Sequence, residues 1–238
     1  MSATLQVISS SSDANGYILT CGEDKLILEA GCKPKDYLTA LNYDLNGVSG
    51  ILCSHIHSDH SRSIKALQNY GLTVCAPPSV CEKHPKCKQV EHMHKYMIGN
   101  FWALPLKVPH GDCECLAYHL NLPDGQTLLF ATDLSDFPYS VKGVNTLMIE
   151  CNNADSIIID RLYAGRELRG AYDTHLSLDN TIKVIKRLRS PDLNKVILIH
   201  LSAANADENL FKTRIWQECG VRVEIAEAGA VYELKEDF

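Results

Sequence analysis

The chain has 238 residues, 45% hydrophobic and 22% charged, which is enough apolar side chain to bury a sizeable core as one domain over residues 1–238. Its formal net charge of −6 argues against a broad basic surface of the kind that grips nucleic acid or anionic lipid without sequence preference, and leaves room only for a local basic patch. The opening "MSATLQVISSSSDANG" lacks a basic start followed by a sustained apolar run, and no stretch is long enough to span a bilayer; the expected location is cytoplasmic, with the ten cysteines, none in a CxxC pair, as reduced thiols.

In chain order, "LQVIS", "GYILTCG" and "KLILEAG" open as a strand series, and "DYLTALNY" has helical spacing. "GVSGILC" is a glycine-bounded strand, and "SRSIKALQNYG" is helical again, so the stretch "CSHIHSDHSRS" between them is a strand-to-helix loop. "LTVCAPP" is a strand, and the segment "VCAPPSVCEKHPKCKQVEHMHKYM" that begins within it reads as an insertion. "FWALPLKVPH", "CLAYHLNL" and "QTLLFATD" form a meander broken at the turn "PDG". Then come "NTLMIEC" as strand, "ADSIIIDRLYAGREL" and "SLDNTIKVIKRLRS" as helices, "KVILIHLS" as strand and "ENLFKTRIWQECG" as helix; "RVEIAEAGAVYEL" closes the chain as a strand or hairpin. Two batches of strands interleaved with helices predict an α/β architecture with two sheets at its centre.

The loop places His55, His57, Asp59 and His60 within six positions, ligand types that suit zinc and similar divalent ions. His110, Asp133 and His200 each close or nearly close an apolar strand, where binding loops of α/β folds gather. Any one of them could be an ordinary satisfied polar group, but their joint occurrence with the His-x-His-x-Asp-His loop points to a site for two metals.

These residues, with "KLILEAG" carrying Glu29 where the pattern usually has Asp, resemble the metallo-β-lactamase superfamily over nearly the whole chain. The resemblance implies a four-layer αββα sandwich in which His55, His57 and His110 hold one metal, Asp59, His60 and His200 hold the other, and Asp133 bridges. The implied cofactor is two divalent ions, zinc or alternatively manganese. "VPHGDCECLAY" around His110 departs from the pattern of glyoxalase-like thioesterases and lactonases, whereas "SSSSDANGYIL", "ECNNAD", "RGAYDTHLSLDN" and "ILIHLSAAN" resemble the YycJ-like and ribonuclease Z-like branch. That branch implies an extra histidine near the metals, matched by His175, and commonly a homodimer, with the insertion and Phe101 and Trp102 as the contact surface. Asn153 stands where YycJ-like relatives tend to have histidine.

Phosphodiester hydrolysis needs a proton for the leaving alkoxide, so His175 and the metal-holding Asp59 are the candidate catalytic residues. Arg166, Arg169, Tyr172 and Ser202, with Arg161 and Tyr163 nearby, are candidates to hold one phosphate and one base. The acidic balance and the compact chain fit a phosphodiesterase of small nucleotides, and the resemblance to phage anti-Pycsar enzymes implies cyclic mononucleotides such as cyclic CMP and cyclic UMP in immune evasion. The rival is a YycJ-like or tRNase Z-like nuclease on DNA or RNA; the alternative of another class is a metal-binding protein without catalysis. Cys75, Cys81, His84, Cys87, His92 and His94 invite a third-metal reading, but their spacings match no closed zinc motif, and exposed groups of an insertion are expected instead.

Overall fold

The structure, a computed structural model, describes residues 2–164 and 174–235. The first half runs β1 (Thr4–Ser10), β2 (Asn15–Cys21), β3 (Asp24–Leu28), α1 (Pro34–Ala40), β4 (Val48–Leu52), α2 (Ser58–Ser61), α3 (Ile64–Asn69), β5 (Val74–Ala76), α4 (Pro78–Lys83) and β6 (Lys88–Gln89). It continues through β7 (Tyr96–Ile98), β8 (Phe101–His110), β9 (Cys113–Asn121), β10 (Thr127–Ala131), β11 (Thr146–Glu150) and α5 (Asp155–Tyr163). The last part is α6 (Leu178–Leu188), β12 (Lys195–Ile199), α7 (Glu208–Cys219), β13 (Arg222–Ile225) and β14 (Val231–Glu233).

Two seven-stranded sheets result, ordered β14-β1-β2-β3-β4-β5-β6 and β13-β12-β11-β10-β9-β8-β7. The pairs β1–β2–β3 and β8–β9–β10 are antiparallel over short turns, β3–β4 and β11–β12 are parallel with a helix crossing over, and β10–β11 is parallel across a helix-free connection. Leu5, Tyr17 and Leu26 of the first sheet face Phe101, Phe130 and Ile197 of the second in one apolar layer. The outer face of the first sheet takes Tyr37 of α1, Ile64 and Leu67 of α3 and Val80 of α4. The outer face of the second takes Ile182 and Ile185 of α6 and Phe211 and Ile215 of α7. This is the four-layer αββα sandwich.

Helix ends follow local chemistry. Ser177 caps α6 by accepting from the Asn180 amide, and Asp207 caps α7 by accepting from the Leu210 amide at 2.9 Å. With Ser177 in that role, His175 is free of it. Asn153 serves the same junction: its carbonyl accepts from the Leu178 amide at 2.7 Å.

Three expectations are corrected. The closing run "RVEIAEAGAVYEL" is neither one strand nor a hairpin: β13 pairs with β12 in the second sheet, whereas β14 pairs with β1 in the first. Local apolar pattern specifies a strand but not its neighbour, and here the two halves of one run satisfy the open edges of different sheets. The segment read as an insertion is part of both layers, supplying α4 and the edge strands β6 and β7, and its Cys75 is buried at 5% exposure rather than exposed. Phe101 is fully buried between the sheets and so cannot form a contact surface; its neighbour Trp102 is exposed, with Lys95 Nζ 4.9 Å over its ring.

The helix after the histidine loop begins only at Ile64; before it, the single turn α2 carries Asp59 and His60. The helix expected over "ADSIIIDRLYAGREL" is α5 as far as Tyr163, and its last residues lie outside the described ones. All ten cysteines are free thiols, and no helix among the described residues is long and apolar enough to cross a membrane.

Candidate metal centre

The apolar runs stop where the site begins. β4 ends at Leu52 and leads to His55 and His57, β8 ends on His110, and β10 and β12 are followed by Asp133 and His200. Asp133 and His200 have φ of 49° and 54°, and Glu29, after β3, has 66°. A left-handed backbone at a non-glycine residue costs about 1 kcal/mol or more and persists where the surroundings over-determine it. Here each such residue turns the chain at a strand end toward the same place.

The side chains converge in two sets. In the first, His57 Nδ1 lies 3.0 Å from His55 Nε2 and 3.1 Å from His110 Nε2. Asp133 Oδ2 completes it, 3.7 Å from His55 Nε2 and 3.6 Å from His110 Nε2. In the second, His60 Nε2 is 3.0 Å from Asp59 Oδ2 and 3.3 Å from Asp133 Oδ1, and His200 Nε2 is 3.5 Å from Asp59 Oδ2. The two oxygens of Asp133 thus face different sets, and in each set the ligand atoms lie within 4.8 Å of one another.

The donor chemistry fits a pair of divalent cations. The three imidazole nitrogens His55 Nε2, His57 Nδ1 and His110 Nε2 cannot all be hydrogen-bond partners of one another, and His200 Nε2 is buried with no hydrogen-bond partner. Burial pushes the His55 imidazolium down, and neighbouring His60 adds to that, so this ring stays a neutral ligand. For His200 burial acts downward too, but Asp133, Asp59 and Glu150 outweigh it and raise its pKa to about 10. Asp133 is held well below the usual carboxylate range: burial opposes this, and His60 and His200 prevail. A buried centre that collects positive charge so strongly is one that a cation satisfies.

A further layer holds these groups. Ser54 Oγ is 2.8 Å from His55 Nδ1, and the Ser54 amide donates to the Glu29 carboxylate at 3.2 Å. Glu29 in turn lies 3.6 Å from His60 Nδ1, an ion-pair distance beyond hydrogen-bond length. Asn15 Nδ2 sits 3.1 Å from His60 Nε2 and 3.3 Å from Asp59 Oδ2. Gly31 is required beneath: a Cβ there would lie 1.6 Å from the Asp59 carbonyl oxygen.

Beside the second set stands Glu150, fully buried at the end of β11. Its Oε1 is 2.5 Å from His175 Nδ1 and 3.0 Å from His200 Nδ1, and its Oε2 accepts from the Leu134 amide at 2.9 Å. Burial opposes ionisation of Glu150, yet bonds to His175 and His200 keep its pKa low; the same bond raises that of His175 against the effect of burial. Sequence reasoning missed the roles of Glu150, Asn15 and Ser54. Glu150 had a signal, because it closes the apolar run "NTLMIE" as Asp133 and His200 close theirs; Asn15 and Ser54 had none.

Of the residues expected to hold substrate, Arg166, Arg169 and Tyr172 lie outside the described residues. Ser202 donates its amide to the Asn152 carbonyl at 2.9 Å and lines a cavity of about 230 Å³ with Glu208 and Glu227, carboxylates that repel phosphate. Arg161 Nη1 donates to the Ala204 carbonyl at 3.2 Å, bracing the loop after β12, and Tyr163 is 88% exposed. His84, His92 and His94 are apart from the centre; the candidate metal groups among the described residues all include Asp133.

The family model described as the Beta-lactamase superfamily domain matches residues 30–201. Over 220 residues the chain is 24% identical to the exodeoxyribonuclease WalJ of Streptococcus pneumoniae, covering 84% of this chain and 81% of that protein. Among solved structures it is similar to the metallo-beta-lactamase fold protein YhfI from Bacillus subtilis, with a TM-score of 0.76 and 18% identity over 98% of this chain and 100% of that one. It is also similar to a diphosphatase from the PhnP family, with a TM-score of 0.70 and 16% identity over 98% of this chain and 97% of that one.

Proposed function

The chain belongs to the Beta-lactamase superfamily domain family and is a metal-dependent hydrolase, and on that premise we propose that it hydrolyses the phosphodiester bonds of a nucleic-acid strand. The observation that carries this reading is Asp133, whose two oxygens face two separate donor sets while the Glu150–His175 pair stands alongside. His55, His57 and His110 would hold one divalent ion, Asp59, His60 and His200 the other, with Asp133 shared. The ions, zinc or manganese, would supply Lewis acidity at the phosphate oxygens and activation of the attacking water.

The chain's own groups do the rest. Glu150 fixes the His175 ring through Nδ1, which leaves Nε2 as the nitrogen able to give a proton to the leaving alkoxide. His175 is 17% exposed, with its ring 5.4 Å from those of both His110 and His200, and it forms a further donor group with Asp133, Glu150 and His200 at the lip of the centre. Asp59 would act by holding its cation. The identity to a curated exodeoxyribonuclease supports a strand as the substrate. The net charge of −6 favours a second reading, hydrolysis of small nucleotides such as cyclic CMP and cyclic UMP, as an immune-evasion enzyme would require.

Turnover of a panel separates the two: the four 3′,5′-cyclic mononucleotides, a cyclic dinucleotide, single-stranded DNA and a precursor tRNA, each with metal-loaded enzyme and an Asp59→Ala control. Cleavage of polymer is expected. Loss of the cyclic mononucleotides alone would replace this reading with the second, and inertness toward the whole panel would leave a metal-binding protein without catalysis.

A further inference from the structure

A cavity of about 640 Å³ lies between the β1–β2 turn and α1, a volume that admits a nucleotide. Three cations line it: Lys33, Lys35 and Arg62, all exposed. Among the described residues Lys33 and Lys35 form no salt bridge, although the protein as a whole is acidic. Two carboxylates, Asp13 and Asp36, share the lining, Asp36 accepting from the Lys33 amide at 3.2 Å, so the three cations outnumber the anions by one. Ile8, Ala14 and Ala40 give the cavity an apolar wall.

The cavity shares its structure with the metal centre. Gly31, in its lining, packs against the Asp59 backbone. Arg62 donates through Nε to the Ser58 carbonyl at 2.9 Å and through Nη2 to the Asp13 carbonyl, which ties the loop bearing Asp59 and His60 to the β1–β2 turn bearing Asn15. A chain of groups therefore runs from the lysines to the proposed ligands without a break.

We propose that this cavity is a phosphate-binding subsite for the part of a polynucleotide strand that flanks the scissile bond, with backbone phosphates on Lys33, Lys35 and Arg62 and a base against the apolar wall. The inference rests on the phosphodiesterase reading and says where its strand substrate is gripped beyond the scissile bond, since backbone phosphates supply much of a nucleic acid's affinity for a protein. Arg62 also braces the ligand loop, so the test uses the two lysines, which do not touch that loop.

Binding of a fluorescein-labelled, phosphorothioate-linked single-stranded deoxyoligonucleotide to metal-loaded protein is followed by anisotropy across a salt series, for wild type and for Lys33→Glu/Lys35→Glu. Affinity is expected to fall about tenfold or more, and the slope of log affinity against log salt to shrink by about 1.4, the contribution of two phosphate contacts on a single strand. Lys33→Arg/Lys35→Arg keeps the charge and should keep both quantities, and turnover of bis(para-nitrophenyl) phosphate, too small to reach the lysines, should stay within about twofold. Unchanged strand affinity and slope in the Glu variant overturn the subsite and leave the phosphodiesterase reading standing. A wild type that hydrolyses the small diester but binds no strand overturns the subsite and the strand substrate together, and leaves the second reading, hydrolysis of small nucleotides. A wild-type chain that neither hydrolyses a phosphodiester nor binds a strand overturns both.

Discussion

Glu150 Oε1 lies 2.5 Å from His175 Nδ1, and the same oxygen lies 3.0 Å from His200 Nδ1. One buried carboxylate therefore orients an imidazole assigned to a metal and an imidazole assigned to proton transfer, which couples the position of the proton donor to that of the ligand. The His175 and His200 rings are stacked at 5.4 Å with 21° between their planes, as that shared anchor demands.

If His175 delivers the leaving-group proton, His175→Ala retains both metals and loses about 100-fold in kcat on a phosphodiester with an alkoxide leaving group. The loss should be much smaller on bis(para-nitrophenyl) phosphate, whose leaving phenolate needs little protonation. Steady-state kinetics on the two substrates, with metal content by elemental analysis, checks this; equal losses would assign His175 a merely structural role.

Glu150→Gln removes the charge while keeping the shape. A neutral amide leaves His175 and His200 without their common anionic acceptor, and loss of such a partner typically costs about 10–100-fold in metal affinity or activity. The expected result is lower affinity at the site containing His200 together with lower kcat, measured by metal titration and turnover on one preparation.

Gly31→Ala should damage the centre from beneath. The new Cβ would overlap the Asp59 carbonyl oxygen, and because that neighbour is backbone, the α2 turn must move. Overpacking of this kind costs about 1–3 kcal/mol, and displacement of Asp59 should also reduce bound metal below that of wild type. Thermal unfolding and elemental analysis report the two effects separately.

Metal removal should destabilise the fold itself. Asp133 is 2% exposed and Glu29 and Glu150 are fully buried, so the centre concentrates negative charge in the interior. A ligand at 100 times its Kd adds about 2.7 kcal/mol to stability, so chelation should lower Tm and added zinc or manganese should restore it. Asp133→Asn should bind less than two ions per chain and gain less on loading.

Phe130→Ala tests the layer between the sheets. Phe130 is fully buried and packs edge-on against Tyr17 of the opposite sheet, with ring centroids 5.8 Å apart. Truncation should cost about 3–5 kcal/mol, read from denaturant unfolding of the metal-loaded protein.

Much of the architecture was legible because burial writes itself into local pattern. Runs such as "TLLFA" and "KVILI", buried on both faces, can only be central strands, and the polar residue that ends such a run must lie at a sheet edge. That is why His110, Asp133 and His200 could be picked out singly. The helices α6 and α7 were readable from their apolar spacing, whereas their Ser177 and Asp207 caps come from the structure. What stayed hidden was long-range: β6 and β7 are two and three residues long, too short for a period to show.

By itself, then, the sequence determined most element types, the strand ends at which His110, Asp133 and His200 stand and the donor chemistry of the His-x-His-x-Asp-His loop, since these depend on neighbours a few positions apart. Only the tertiary structure decided that Val231–Glu233 joins Thr4–Gln6 while Arg222–Ile225 joins the other sheet, that Glu150 serves two imidazoles, and that Lys33 and Lys35 face a cavity beside Asp59. The physical reason is that such pairings are set by which open edge, buried charge or unfilled volume remains once the rest of the chain has packed, and no local window of residues contains that information.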